Sequence, residues 1–208
     1  MSLAFENVGA AYHRRTVFAG ATFTMQPGTL MGLIGANGAG KTTLLRIAAG
    51  LIAPASGRVT ASGRVMYFGG ESTLPGQCRA DEWAALFNAG SNTRARLGRL
   101  SRGTRQLFGL TVFLSNDVWD IGLLDEPWEG LDPNGSRWLA AALRRHRERG
   151  ACVLISSHRL HDVADVCSAY TFLSAGALRV ATAGDLARAG KAVDAADLAR
   201  AFDALERQ

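Results

Sequence analysis

Residues 29–43 read Thr29-Leu-Met-Gly-Leu-Ile34-Gly35-Ala-Asn-Gly-Ala-Gly40-Lys41-Thr42-Thr43. The first part is nearly all apolar and ends in glycines, which predicts a strand buried on both faces. Residues 41–49 then have helical spacing at Leu44, Leu45, Ile47 and Ala48, with Gly50 placed to end the helix. Between strand and helix stands G-x-x-x-x-G-K-T, and strand, glycine loop, helix is the context that gives this motif its physical meaning. Gly35, Ala36, Asn37, Gly38, Ala39 and Gly40 let the backbone N–H groups converge on a polyphosphate, and the helix start adds partial positive charge, with Thr43 in its first turn. Lys41 is expected to reach the β and γ phosphates, and the Thr42 hydroxyl to hold Mg²⁺.

Downstream, Ile121-Gly-Leu-Leu-Asp125-Glu126-Pro127 places two carboxylates at the end of another apolar strand, where open parallel sheets bind ligands. Asp125 is expected to face the metal across from Thr42, and Glu126 to point toward the γ phosphate and polarise the attacking water. Asp132-Pro133 reads as an N-cap followed by proline at the first helical position.

The rest of the chain supplies the frame. Residues 3–8 and 21–25 alternate as half-buried strands, with Gly9-Ala-Ala11 as a turn between them; 58–60 and 64–68 read as strands around the turn Ala61-Ser62-Gly63. Residues 72–115 are helical text, mainly 80–87 and 103–114, and predict a small helical lobe. Alternation resumes with a strand at 121–124, a helix at 133–149, a strand at 151–156, strand-like pieces at 170–173 and 177–180, and a helical tail at 184–208. The fold class that follows is α/β: a P-loop NTPase core with a mostly parallel sheet, an N-terminal antiparallel β subdomain and a helical subdomain.

With 208 residues, 48% of them apolar, the chain suits one domain spanning 1–208 and excludes two large ones. No apolar run approaches the roughly 18 residues of a membrane span, and Met1–Val8 lacks the pattern of an export leader, so the expectation is a soluble, cytoplasmic protein. The net charge of +5 is scattered, and only Lys41 and Lys191 among the basic residues are lysine. A solvated basic surface follows, with no direct nucleic-acid binding expected. Cys78, Cys152 and Cys167 fit no metal-ligand spacing; Cys152, inside an apolar run, reads as a small buried hydrophobe.

Together these residues resemble the ATP-binding subunits of ABC transporters over about 3–178. Leu100-Ser101-Arg102-Gly103-Thr104-Arg105-Gln106 is similar to the family's LSGGQ signature. The resemblance implies that Ser101, Arg102 and Gly103 contact the ATP of a second ABC ATPase subunit, a copy or a sister chain, in a head-to-tail pair. It further implies that Tyr12 stacks on adenine, that Asp125 holds the metal, that Glu126 is catalytic, that Asp132 is the D-loop aspartate and that His158 is the switch histidine at the γ phosphate. The remaining partner implied is a transmembrane permease on a separate chain, which would keep this subunit peripheral on the cytoplasmic face. The compact length and the helix around Asp197 to Leu205 are similar to efflux-type systems, and Tyr67-Phe-Gly-Gly70 is similar to the haem-exporter ATPases of cytochrome c maturation.

One departure stands out. The family's loop glutamine is replaced by Gly70, so that either Glu71 offers an oxygen to Mg²⁺ or the position is vacant; Gln77 lies too far along to substitute. Two alternatives follow. One is a non-transport ABC-type ATPase acting on nucleic acid or a protein assembly, and the other an inactive subunit beside an active sister chain.

Overall fold

The computed structural model describes residues 1–13, 15–86, 94–115, 118–187 and 192–207. Strands β1 (Leu3–Tyr12) and β2 (Arg15–Met25) pair antiparallel, with Tyr12 opposite Arg15 at the reversal. Strand β3 (Leu30–Ile34), buried at every residue, runs into the phosphate loop and helix α1 (Lys41–Ala48). Strand β4 (Ser56–Ala61) then returns to pair with β1, completing a three-stranded sheet in the order β2-β1-β4.

The second sheet holds β3 at its centre. Its other members are β5 (Val65–Phe68), β6 (Ile121–Asp125), β7 (Cys152–Ser157), β8 (Ala169–Ser174) and β9 (Ala177–Thr182), in the order β5-β6-β7-β3-β8-β9. All pairings are parallel except β8 with β9. Helices on both faces explain the near-continuous apolar strands. Leu30 and Ile34 join Leu124, Val153 and Ile155 in one core, whereas Met31 and Leu33 join Leu123, Leu154 and Leu44 of α1 in the other, beneath the N-terminal sheet.

The helical part carries α2 (Ala80–Ala85) and α3 (Arg102–Ser115), with 3-10 turns at Glu71–Thr73 and Leu97–Arg99. It shares the first core through Leu74, Leu97, Leu110 and Phe113, and Phe113 lies between Phe68 of β5 and Trp119 at centroid distances of 6.1 and 5.2 Å. Helices α4 (Pro133–Glu148), α5 (Leu160–Val166), α6 (Ala183–Leu186) and α7 (Ala195–Glu206) complete the chain. Asp132 caps α4 by accepting from the Gly135 N–H at 2.7 Å, as its sequence position predicts.

Several sequence expectations need correction. Gly9-Ala-Ala11 is not a turn: it continues β1 through register shifts, three successive buried positions at Val8 to Ala10 having erased the alternation. The strands flanking Ala61-Ser62-Gly63 do not face each other across that turn. β4 is a largely exposed edge on β1, while β5 lies against β6, tied there by the Arg64 N–H donating to Asp120 Oδ2 at 2.8 Å. Among the described residues the helical tail holds two helices, each opened by a capping box, at Thr182 with Asp185 and at Asp194 with Asp197. Phe87, Lys191 and Gln208, included in the sequence readings, lie outside the described residues.

Candidate nucleotide site

At the carboxyl end of β3 the loop folds back over Lys41, which is 7% exposed. Its ammonium donates to the Gly35 carbonyl at 2.8 Å and to the Ala36 carbonyl at 3.3 Å. No side chain caps the start of α1 at Gly40, so the orphan N–H groups of its first turn are left for a ligand. They face a hollow of about 900 Å³ lined by Asn37 to Thr43, Asp125, Glu126 and Tyr12, among others. Tyr12 is 51% exposed.

The two carboxylates after β6 are held differently. Parallel pairing sets Asp125 opposite Ser156. The Ser156 hydroxyl donates to Asp125 Oδ1 at 2.5 Å and accepts from the Glu126 N–H at 2.9 Å. The Tyr67 hydroxyl donates to Asp125 Oδ2 at 3.4 Å; burial, and then the Asp125 charge, push its pKa above the ordinary tyrosine value, which keeps it a donor. Glu126 has a left-handed backbone, φ 47°, a conformation that surrounding contacts must hold. Its Oε1 lies 3.3 Å from Lys41 Nζ and its Oε2 2.9 Å from His158 Nδ1, with the His158 N–H also donating at 3.3 Å. Three residues widely separated in sequence thus meet around one carboxylate.

A profile of the ABC transporter family matches residues 18–79. Among curated proteins, the cytochrome c biogenesis ATP-binding export protein of Sphingopyxis alaskensis is 33% identical in an alignment 174 residues long that covers 75% of this chain and 89% of that protein. The chain belongs to the ATP-binding subunits of ABC transporters. The Nod factor export ATP-binding protein I of Paraburkholderia xenovorans is 30% identical over 80% of this subunit and 66% of its own length. Among solved structures, an ATP-binding subunit of an ABC transporter superposes with a TM-score of 0.84 at 21% identity, covering 98% of this chain and 100% of the other. A dimeric ATP-binding cassette in a post-hydrolysis state bound to ADP and Pi gives 0.78 at 18% identity, covering 86% and 98%.

In this ATP-binding subunit the signature stretch stands apart from the main hollow. Ser101 opens α3, its hydroxyl accepting from the Thr104 N–H at 3.2 Å and meeting the Thr104 hydroxyl at 2.7 Å. Arg102 pairs with Glu71 at 3.2 Å and Glu129 at 2.6 Å, and Arg105 pairs with Glu71 as well. The Glu71 carboxylate is engaged by two arginines of this helix, and Glu71 also lines the smaller hollow beside Thr42 and Asp125. Gly70 has φ 83° and ψ 177°, a region open essentially to glycine alone. Ser101, Gly103 and Asp132 lie outside both hollows, and Arg102 lines only the smaller one, with Thr42, Gly70, Asp125 and Glu126.

The donors facing that smaller hollow, a threonine hydroxyl and carboxylates, are the hard oxygen ligands Mg²⁺ prefers. Among the described residues no group of three or more His, Cys, Asp or Glu could hold a metal alone. No helix of the described residues is long and apolar enough to cross a membrane.

Some lining residues escape sequence reading. Arg15 and Val17 enter the hollow because the hairpin sets Arg15 against Tyr12, and Gly176 enters from the β8–β9 turn. Ser156 and Gln106 were visible in the text beside recognised motifs, but only their hydrogen bonds mark them out.

Proposed function

We propose that this chain is one ATPase unit, 1–208 with 72–115 as its helical part, that binds and hydrolyses Mg-ATP to drive a separate permease, as an exporter. The observation that carries the hydrolytic reading is the Glu126 carboxylate bridging Lys41 and His158 at the end of the phosphate loop. Main-chain N–H groups from Gly35 to Thr43 bind the phosphates, Lys41 supplies the fixed positive charge, and Tyr12 offers its ring to the base. Thr42 and Asp125 would hold Mg²⁺, which when bound neutralises charge on the phosphates. Glu126 orients water and takes its proton, and His158 fixes the Glu126 carboxylate and reaches the γ phosphate.

The start of α3, with Ser101, Arg102 and Gly103, serves the nucleotide of a second subunit, and Asp132 stands at that junction. The likeness to export proteins of Sphingopyxis alaskensis and Paraburkholderia xenovorans supports an exporter, and the first of these, a cytochrome c biogenesis protein, favours the haem-exporter type. Attachment to the cytoplasmic face comes through the permease. The test is phosphate release from Mg-ATP by the chain with its copurified membrane partner. Release that disappears in Lys41→Ala and in Glu126→Gln supports the reading; release that survives both contradicts it.

A further inference from the structure

Gln106, just over one turn into the signature helix, is 1% exposed yet polar, so its amide must be satisfied inside the protein. Its Nε2 donates to the Pro127 carbonyl at 2.9 Å and to the Glu126 carbonyl at 3.4 Å. The same Glu126 carbonyl accepts from the Glu129 N–H at 3.1 Å, closing the turn that carries the left-handed Glu126. Helix and turn also meet directly: a Cβ at Gly103 would lie 2.5 Å from the Gly130 carbonyl oxygen, so only glycine permits this approach. Arg102 adds the ion pair to Glu129 from the same helix end. From Ser101 to Gln106 the helix rises about 7.5 Å. The start of α3 and the backbone of Glu126 are therefore parts of one packed unit.

We infer that Gln106 is a positioning residue that ties the Glu126 turn to the signature helix, so that nucleotide held by a partner at the start of α3 is registered at this chain's own Glu126. The inference rests on the reading of Glu126 as the residue that activates water. It goes beyond that reading in giving the two sites of a pair a physical link within each chain. The link runs through the two hydrogen bonds of the Gln106 amide rather than through the loop at Gly70, which has no side chain to carry one.

Gln106→Met keeps length and volume and removes both donors. With the full chain, amide hydrogen exchange at Glu129 and Leu131 is expected to quicken about tenfold in Gln106→Met, while exchange in β3 and β7 and the affinity for Mg-ATP stay unchanged. In the assembly with the membrane partner, kcat is expected to fall about tenfold with KM within about twofold of wild type, a split that loosened packing alone would not give. Gln106→Asn, shorter but still an amide, is expected to give the same pattern and serves if the methionine variant does not fold. Unchanged exchange at Glu129 and Leu131 overturns the inference, as does a raised KM with kcat intact. A wild-type chain that hydrolyses no ATP would instead sink the ATPase reading, and the exchange measurement would still decide the role of Gln106.

Discussion

Lys41 and Glu126 are ion-paired across the nucleotide hollow, Nζ to Oε1 at 3.3 Å, although each is expected to serve a bound triphosphate. The ammonium is also satisfied by the Gly35 and Ala36 carbonyls, so without ligand it is neither buried unpaired nor free. Binding phosphate must loosen the hold of Glu126 on Lys41. Glu126→Gln is therefore expected to bind Mg-ATP several-fold more tightly, about 1 kcal/mol for a partly exposed pair, while phosphate release falls by about a hundredfold or more. Titration of nucleotide beside a phosphate-release assay checks both halves; weaker binding would contradict the competition.

Restoring the family's glutamine is expected to harm this chain. Gly70 at φ 83° and ψ 177° lies where a side chain costs about 1–3 kcal/mol, although the nearest atoms to an added Cβ, the Asp125 carbonyl oxygen and Gln106 Oε1, are both 3.9 Å away. Strain, not crowding, is the obstacle. Gly70→Gln should lower the denaturant midpoint without raising turnover; a stable variant with faster hydrolysis would show that the loop accepts the amide.

Ser156 uses its hydroxyl twice, donating to Asp125 and accepting from the Glu126 N–H. Ser156→Ala removes both bonds at a fully buried position, at an expected cost of about 1–3 kcal/mol. It also frees the Asp125 carboxylate to turn. The Mg²⁺ concentration needed for half-maximal nucleotide binding should rise, whereas nucleotide binding without Mg²⁺ should hardly change. Equal losses with and without the ion would place the defect elsewhere.

Burial pushes the Tyr170 hydroxyl up to about 12 from an ordinary 10.0, with the adjoining Cys167 adding to the shift. Because the folded value exceeds the unfolded one, its contribution is intact below pH 10 and is lost as pH rises through about 12. Wild type should lose stability relative to Tyr170→Phe across that window. Chemical denaturation of both at stepped pH measures it, and parallel stability curves would refute the assignment.

The phosphate loop was legible in the sequence because its chemistry is local: Gly35 to Thr42 needs only its own backbone and one lysine. The carboxylates after β6 and the cap at Asp132 were legible for the same reason. Strand pairing was not. Residues 58–60 and 64–68 both read as strands, but the partners of the strands they form, β1 and β6, are set by which faces the two sheets bury. The fate of Glu71 was equally hidden, since two arginines a turn apart on α3 claim it only after the helical part has packed against β5. In sequence Gln106 only ends the signature-like stretch, and its burial over the Glu126 turn is a tertiary fact.

The most direct test of a nucleotide shared between one phosphate loop and a second signature helix is the sedimentation of Glu126→Gln with and without Mg-ATP. Single copies without nucleotide and pairs with it are expected, with the pairs disappearing when Ser101→Arg blocks the start of α3. A chain that binds Mg-ATP and still sediments as single copies would contradict the shared site.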